Sequence, residues 1–564
     1  MSEAVALANN DVAFVAWSYD APIENCLGFS IHRTDLHTSQ TTVLPAWVGF
    51  KGGSNPDWQP KTTDDWPIQK FNWRDFTAKA RGSYSYEIIP MVGTPGNLTP
   101  LAGSSLATNR VDLTPTCGSF LAYFNRGILS TQSVSHMLPA GPTGAPSSTD
   151  LMQHISKPGD GLRLRLAGEM IEALELLLNK AQAEGGSCFA ALYELADQEL
   201  VARLLAAKDY LHLILSNTGP ADDTDKAARE ALHAANVDIT DRMLKPKHIG
   251  HNKFVVYVDK GGQPQAVLTG STNWTSNAIC AQSNNALICL DAFTAQQYMD
   301  YWNRLKADAA EQAAAFRSEN DKALDLQKID STLWFSPNTK QQTKPRTDPT
   351  VPGDISDVYK AIENAQQAIL FLLFQPGSPS VIDAITTRAK DKPDLIVRGA
   401  ATDPKAVNQF DTQLFSGTST GPDAVQAMVA ASAIDDTFAY WQRELLKSTP
   451  QAHAIIHDKI VVIDPFGDCV VVTGSHNLGF TASYANDENL LLVKGNRELA
   501  IAYTTHVLDV YDHYRWRYWL QQDKKNAYNG LDPTPQWQDQ YFTPAGRKEV
   551  QFWSQEPGAL LAGH

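Results

Sequence analysis

"HDKIVVIDPFGDCVVVTGSHN", residues 457–477, runs a histidine, an aspartate and a lysine straight into four branched apolar residues. It then turns through Pro465, Phe466 and Gly467 and returns as a second apolar run to Gly474, Ser475, His476 and Asn477. Short apolar runs joined by turn residues predict a hairpin of two fully buried strands. A polar pair at the mouth of such a strand is, taken alone, the mark of a salt-bridged core. A second copy argues otherwise. Residues 251–273 read "HNKFVVYVDKGGQPQAVLTGSTN", with the same His-x-Lys, strand, turn, strand and Gly-Ser-x-Asn in the same order. Fourteen residues beyond Gly270 and Gly474 lie Asn284 and Glu488, each followed by an asparagine and an apolar strand. Agreement at so many polar positions is hard to explain by core packing.

Working outward, each copy is preceded by the same alternation. VYKAIENAQQ (358–367) reads as helix, AILFLLF (368–374) as strand, VIDAITTRAK (381–390) as helix and DLIVRGA (394–400) as strand. Before the first copy, LRLRLAGEMIEALELLLNKAQAEGG (162–186) reads as one amphipathic helix closed by glycines, followed by strands CFAALYEL (188–195) and LHLILSN (211–217) with a helix between them. Alternation of this kind builds a parallel or mixed sheet covered by helices, here twice over. Residues 1–113 differ. Their alternating segments VAFVAW (12–17), GFSIHR (28–33) and SYSYEII (83–89) predict a small all-β sandwich with Trp17 in its core and Tyr84 or Tyr86 as a corner tyrosine. The expected class is α/β, two pseudo-symmetric αβα-sandwich halves (114–330 and 331–564) preceded by the small all-β sandwich (1–113).

Within each hairpin, residues two apart share a face, so His251 with Lys253 and His457 with Lys459 each present an imidazole and an ammonium together. Ser271 with Asn273 and Ser475 with Asn477 do likewise, while Gly270 and Gly474 are expected to leave the backbone open to a ligand. Converging imidazoles, ammoniums, hydroxyls and amides suit a tetrahedral oxyanion, with lysine as a point charge on phosphate. The net charge of −15 argues against a general polyanion binder, and −12 of it lies beyond position 113. Nucleic acid is therefore the less favoured partner. The six cysteines lack any metal-ligand spacing and read as reduced core thiols. No apolar run reaches the roughly 20 residues of a membrane span. The start has no cleavable signal pattern, so the expected location is cytoplasmic, or outside the cell by another export route.

The doubled His-x-Lys…Gly-Ser-x-Asn pattern resembles the phospholipase D superfamily over about residues 115–560, and the first 113 residues resemble a fibronectin type III domain. The first resemblance implies two phospholipase D-like halves sharing one site, a phosphohistidine intermediate on His251, and His457 as the acid that protonates the leaving alcohol. It implies Lys253 and Lys459 as phosphate clamps, with Ser271, Asn273, Ser475, Asn477 and Asn284 as substrate-binding groups. Glu488 would orient His251 from the other half. No metal or other cofactor is implied. Two departures stand out: the family's Asp five residues after the lysine is present as Asp464 but replaced by Val258 in the first copy, with Asp259 one later, and Asn284 stands opposite Glu488. Asp464, seven residues from His457, should face away from the site and serve structure.

The function expected is hydrolysis of glycerophospholipids at a membrane surface to phosphatidate and free headgroup. The alternatives are a nuclease or other phosphodiesterase of the same type, and a non-catalytic scaffold. A cardiolipin synthase is disfavoured by the missing membrane segments. The sandwich is expected to contact protein or glycan as an adhesive or targeting module. His248 and His453 read as wall or core histidines, Trp274 as groove lining or packing, and the aromatic stripe 510–520 as core.

Overall fold

The computed structural model describes residues 2–53, 55, 59–127, 148–217, 224–403, 411–416, 425–429, 455–522 and 530–555. The chain divides into two compact units, residues 1–115 with 519–564, and residues 116–518.

The first unit is all-β at its amino-terminal end. Strands Glu3–Ala8, Ala13–Ser18 and Asn72–Asp75 make one antiparallel sheet, and Cys26–Asp35 and Ser83–Thr94 form the centre of another. Ala13–Ser18 is buried at every position, and Ser83–Thr94 buries mainly alternate residues. Trp17, Phe29, Ile31, Tyr86 and Ile88 meet in the core, with Trp17 and Phe29 in edge contact at 5.2 Å. The Tyr84 hydroxyl accepts from the Lys79 N–H at 3.1 Å, holding the turn before its own strand. The carboxy-terminal segment belongs here and not to the second half, where the sequence had placed it. Its Trp537 reaches into this core and donates its indole N–H to the Cys26 carbonyl at 3.0 Å. An apolar ring with a single donor finds both of its needs at this buried strand end.

The second unit contains two sheets of nearly the same order. One runs Thr116–Cys117, Phe120–Phe124, Asn285–Cys289, Pro264–Gly270, Phe254–Val258, Ser187–Tyr193, Leu211–Asn217, Asp238–Met243. The other runs Leu324–Leu326, Ser331–Ser336, Glu488–Val493, Val470–Gly474, Lys459–Ile463, Ala368–Phe374, Ile396–Asp403, Asp411–Ser416, Val425–Val429. Among the described strands, Leu211–Asn217 pairs in parallel with Ser187–Tyr193 and Asp238–Met243, and Ile396–Asp403 with Ala368–Phe374, while other neighbours are antiparallel, so both sheets are mixed. Every residue of Phe254–Val258 and Lys459–Ile463 is buried, because helices cover both faces. Met170–Glu184 and Gly353–Glu363 precede the matched strands Ser187–Tyr193 and Ala368–Phe374. Ala292–Ala307 and Arg497–Gln522 follow the last strand of each half.

The single helix expected over 162–186 is broken. Gly168 turns the chain with φ 56° and caps Gly161–Ala167, after which Met170–Glu184 begins anew and ends on left-handed Gly185. Glycine tolerates that backbone where a side chain would not. All six cysteines are buried and unpaired by disulfides. Among the described residues no helix is long and apolar enough to cross a membrane.

Candidate active site

Each His-x-Lys strand lies near the centre of its own sheet, and polar side chains stitch the two sheets together. Thr269 and Tyr298 donate to the Asn489 amide oxygen at 2.6 and 3.0 Å. In mirror fashion the Asn285 amide donates to the Thr473 hydroxyl and to Tyr503 at 3.1 and 3.0 Å. The loops ahead of each histidine cross over as well. The Asp487 N–H donates to the Ile249 carbonyl at 2.8 Å, and the His457 N–H to the Ser283 carbonyl at 3.0 Å. Arg242 adds a buried ion pair to Asp487 at 2.7 Å. Breaking such a pair by removing one partner costs about 3–5 kcal/mol, so it fixes the arrangement firmly.

This stitching brings the rings of His251 and His457 to 6.3 Å, centre to centre. Each imidazole is oriented by the opposite half. The His251 Nδ1 donates to the Ser475 carbonyl at 3.1 Å and lies 3.4 Å from Glu488 Oε2. The His457 Nδ1 donates to Asn284 Oδ1 at 2.9 Å. That amide cannot be reversed, because its nitrogen donates to the Ala278 carbonyl at 2.9 Å. With Nδ1 carrying the proton in both rings, Nε2 is the basic atom of each. Lys253 and Lys459 reach back to the carbonyls of His251 and His457 at 2.7 and 2.5 Å. Tyr193 lies under Lys253 at 5.2 Å, and Phe374 under Lys459 at 4.9 Å.

The family model described as cardiolipin synthase, PLD-like domain, matches residues 175–306 and again 358–509, one match for each His-x-Lys copy. The chain belongs to the phospholipase D-like family. It is accordingly a phosphodiesterase-type enzyme. The chain is also similar to several solved structures, three of which follow. A phospholipase D family member, Nuc from Salmonella typhimurium, is 22% identical over 23% of this chain and 82% of its own, with a TM-score of 0.19. Phosphatidylserine synthase from Haemophilus influenzae is 11% identical over 62% and 85%, with a TM-score of 0.38. Yeast tyrosyl-DNA phosphodiesterase is 12% identical over 56% and 84%, with a TM-score of 0.31. No curated protein sequence matches the chain.

Within this phospholipase D-like centre, the polar residues of the two motifs also bond to one another. The Ser271 hydroxyl donates to Asn284 at 2.8 Å and accepts the Asn285 N–H at 3.0 Å. Ser475 accepts the Asn489 N–H at 3.0 Å. Both serines and Asn284 are fully buried, and these contacts tie them to the neighbouring strands and to His457. A Cβ on Gly270 or Gly474 would meet the Asn285 or Asn489 carbonyl at 2.4 Å. These glycines admit the neighbouring strand, not a ligand. Asn273 and Asn477, by contrast, each keep an amide oxygen without a protein partner. Asp464 accepts the N–H groups of Gln366, Gln367 and Ala368 at 2.7, 2.6 and 2.9 Å, away from the histidines. Asp259 closes an exposed turn through the Gly261 and Gln263 N–H groups.

Burial dominates the titration of the centre. It depresses His251 to about 4, helped by Lys253 and opposed by Glu488. It depresses Lys253 to about 7 against the pull of Glu488 and Glu194. His457 and Lys459 fall well below their ordinary values, through burial first and then through neighbouring ammonium groups. Glu488 is lowered although burial works the other way, because His251, His476 and the Asn486 amide outweigh it.

Of the remaining expectations, Trp274 is fully buried and His248 bonds Gln312 at 2.6 Å. Val510, Tyr511 and Tyr514 of the aromatic stripe are buried. His453 and the side chains of residues 516–520 lie outside the described residues. Tyr193, Glu194 and Phe374 were not anticipated. Their signal was present: both copies carry an aromatic residue and then Glu or Gln at the end of the strand preceding the motif, matched in position.

Proposed function

We propose that the protein hydrolyses glycerophospholipids to phosphatidate and free headgroup through a phosphohistidine on His251. The observation that carries the reading is the pair of imidazoles 6.3 Å apart, each with Nδ1 held and Nε2 basic. That span accommodates a phosphorus atom between an attacking nitrogen and a departing oxygen in line. His251 attacks through Nε2, and Glu488 beside its Nδ1 stabilises the positive charge that the ring acquires. His457, protonated on substrate binding, gives its Nε2 proton to the leaving alcohol and then takes one from water. Lys253 and Lys459 hold the non-bridging phosphate oxygens, and Asn273 and Asn477 aid them by donating an amide N–H. General acid–base catalysis supplies only about 10²–10⁴-fold, whereas phosphodiester cleavage needs on the order of 10¹⁰-fold or more, so the covalent step and the ammonium clamp must supply the rest. The all-β unit serves as an adhesive or targeting module.

Headgroup release from mixed phospholipid vesicles, run beside cleavage of single- and double-stranded DNA, tests the reading. Release that disappears in His251→Ala supports it. DNA cleavage without headgroup release would replace it with a nuclease.

A further inference from the structure

Tyr193 and Phe374 end matched strands, Ser187–Tyr193 and Ala368–Phe374, each of which pairs with the His-x-Lys strand of its own half. Both are half-buried. Each ring faces two catalytic groups at once. Tyr193 lies 5.3 Å from the His251 ring and 5.2 Å from Lys253 Nζ, and Phe374 lies 4.6 Å from the His457 ring and 4.9 Å from Lys459 Nζ. One of the two side chains has a hydroxyl and the other has none, and the residues that follow them, Glu194 and Gln375, differ in charge. The aromatic face is what the two halves hold in common there.

An ammonium has three N–H donors. Among the described residues, the hydrogen bond that each of these lysines makes goes to the carbonyl of the histidine two places earlier, at 2.7 and 2.5 Å. Donors remain for phosphate, but a flexible four-carbon side chain held by one such bond is free to swing away from it. A carboxylate beside the ammonium would hold it at the expense of its charge and of a second donor. An aromatic face attracts the same cation through its quadrupole, carries no net charge and competes weakly with a phosphate oxygen. Both lysines lie within the roughly 6 Å over which that attraction acts.

Resting on the phosphodiesterase reading above, we propose that Tyr193 and Phe374 are positioning residues, aromatic seats that keep Lys253 and Lys459 aimed at the phosphate without neutralising them. Each ring also packs on the imidazole of its own half, so one rigid plate sets the spacing of histidine and lysine on each side. Tyr193 does this for the pair that contains the nucleophile, and Phe374 for the pair that contains the acid.

The test sets ring-keeping substitutions, Tyr193→Phe and Phe374→Tyr, against ring-free ones, Tyr193→Leu and Phe374→Leu, with inorganic phosphate as the ligand and bis-nitrophenyl phosphate as the substrate. By calorimetry the ring-free variants should bind inorganic phosphate about 3- to 30-fold more weakly than the wild type, and the ring-keeping variants should stay within about twofold of it. Loss of the ring removes an attraction for the charged amine alone, so in Tyr193→Leu the alkaline limb of kcat/KM should move to lower pH, by about half a unit to one unit. Lys253 also feels Glu488 and Glu194, and Lys459 feels Lys253, Glu488, Asp458 and Glu194. All of these stay in place, so a moved limb reports the ring. Equal losses in ring-keeping and ring-free variants, or ring-free variants with the phosphate affinity and alkaline limb of the wild type, would overturn the proposal and reduce the two rings to packing. If the leucine variants do not fold, Tyr193→Met and Phe374→Met, which fill the space with a flexible chain, take their place. A wild type that cleaves neither bis-nitrophenyl phosphate nor phospholipid vesicles would end the phosphodiesterase reading and this proposal with it, whereas cleavage with equal losses removes only the proposal.

Discussion

The two halves of the catalytic unit share a strand order, a His-x-Lys hairpin, a glycine pressed against the next strand, and an asparagine that stitches one sheet to the other. They part company at a handful of side chains. His251 faces a carboxylate, Glu488, whereas His457 faces an amide, Asn284. Between histidine and lysine the first half has Asn252, donating to Tyr301 at 3.2 Å, and the second has Asp458, accepting from His506 at 3.0 Å. The edge strand Asp238–Met243 is parallel to its neighbour, and Asp411–Ser416 is antiparallel. Symmetry therefore sets where the chemical groups stand, and a few unsymmetrical partners decide what each one does. An imidazole beside a carboxylate is suited to gaining positive charge, and one beside an amide oxygen is suited to carrying a proton that it must release.

The comparison breaks most decisively at the histidines. With a phosphate ester of a poor leaving group, His251→Ala and His457→Ala should each lower turnover by at least about 10⁴-fold. With a nitrophenyl ester the two should separate. His457→Ala should still accumulate a phosphoenzyme and stall for want of a base, and His251→Ala should form none, as read by mass spectrometry after a quench without acid. Phosphate on His457, with His251→Ala still labelled, would reverse the assignment of the halves.

A smaller separation is expected at the supports. Glu488→Gln should lower kcat about 100-fold on all esters, because the charge it supplies is needed in the attack itself. Asn284→Ala should cost about 10-fold with a poor leaving group and little with nitrophenolate, whose departure needs no proton. Equal losses for the two variants on both esters would mean that the carboxylate and the amide do the same work.

The pH dependence of kcat/KM reports the free enzyme and should show the ionisations of His251 and Lys253 in the first half. His251 must be neutral to attack, so activity should rise with pH through about 4, and Lys253 must be charged to hold phosphate, so it should fall as pH rises through about 7. Glu488→Gln removes an influence that raises the His251 value, and the acid limb should move to lower pH. Movement to higher pH would contradict the contact between the two.

The smallest effect concerns the two aspartates. Asp464→Ala removes the acceptor of three backbone N–H groups at the start of a central strand, and should lower unfolding stability by about 2–3 kcal/mol. Asp259→Ala, in its exposed turn, should cost no more than about 1 kcal/mol. Urea midpoints of the two variants decide, and equal shifts would deny that the displaced aspartate lost its neighbour's task.

Much of this could be read in the sequence because the repeat is written in chemistry that packing does not demand. The paired His-x-Lys strands, the α/β alternation and the outward turn of Asp464 all follow from period and parity. What stayed hidden depends on contacts between remote segments. Ser271 and Ser475 have the composition of ligand donors, and only the approach of the 284–285 and 488–489 backbone shows that they face inward. The break at Gly168 is hidden because one glycine in a long amphipathic run is a weak signal until its positive φ is known. The carboxy-terminal helices adjoin the second half in the chain, and their aromatic residues alone do not say which core takes them.

The crossed supports have a further consequence if the connection between Ser336 and Gly353 is cut. Each fragment would then hold a histidine whose orienting group, Asn284 or Glu488, travels on the other. Neither fragment would be slow; each would be inert, with its imidazole free to rotate. Activity in a mixture would grow with the product of the two fragment concentrations at first and saturate at a midpoint equal to their dissociation constant. Turnover would become a gauge of how tightly two sheets recognise each other.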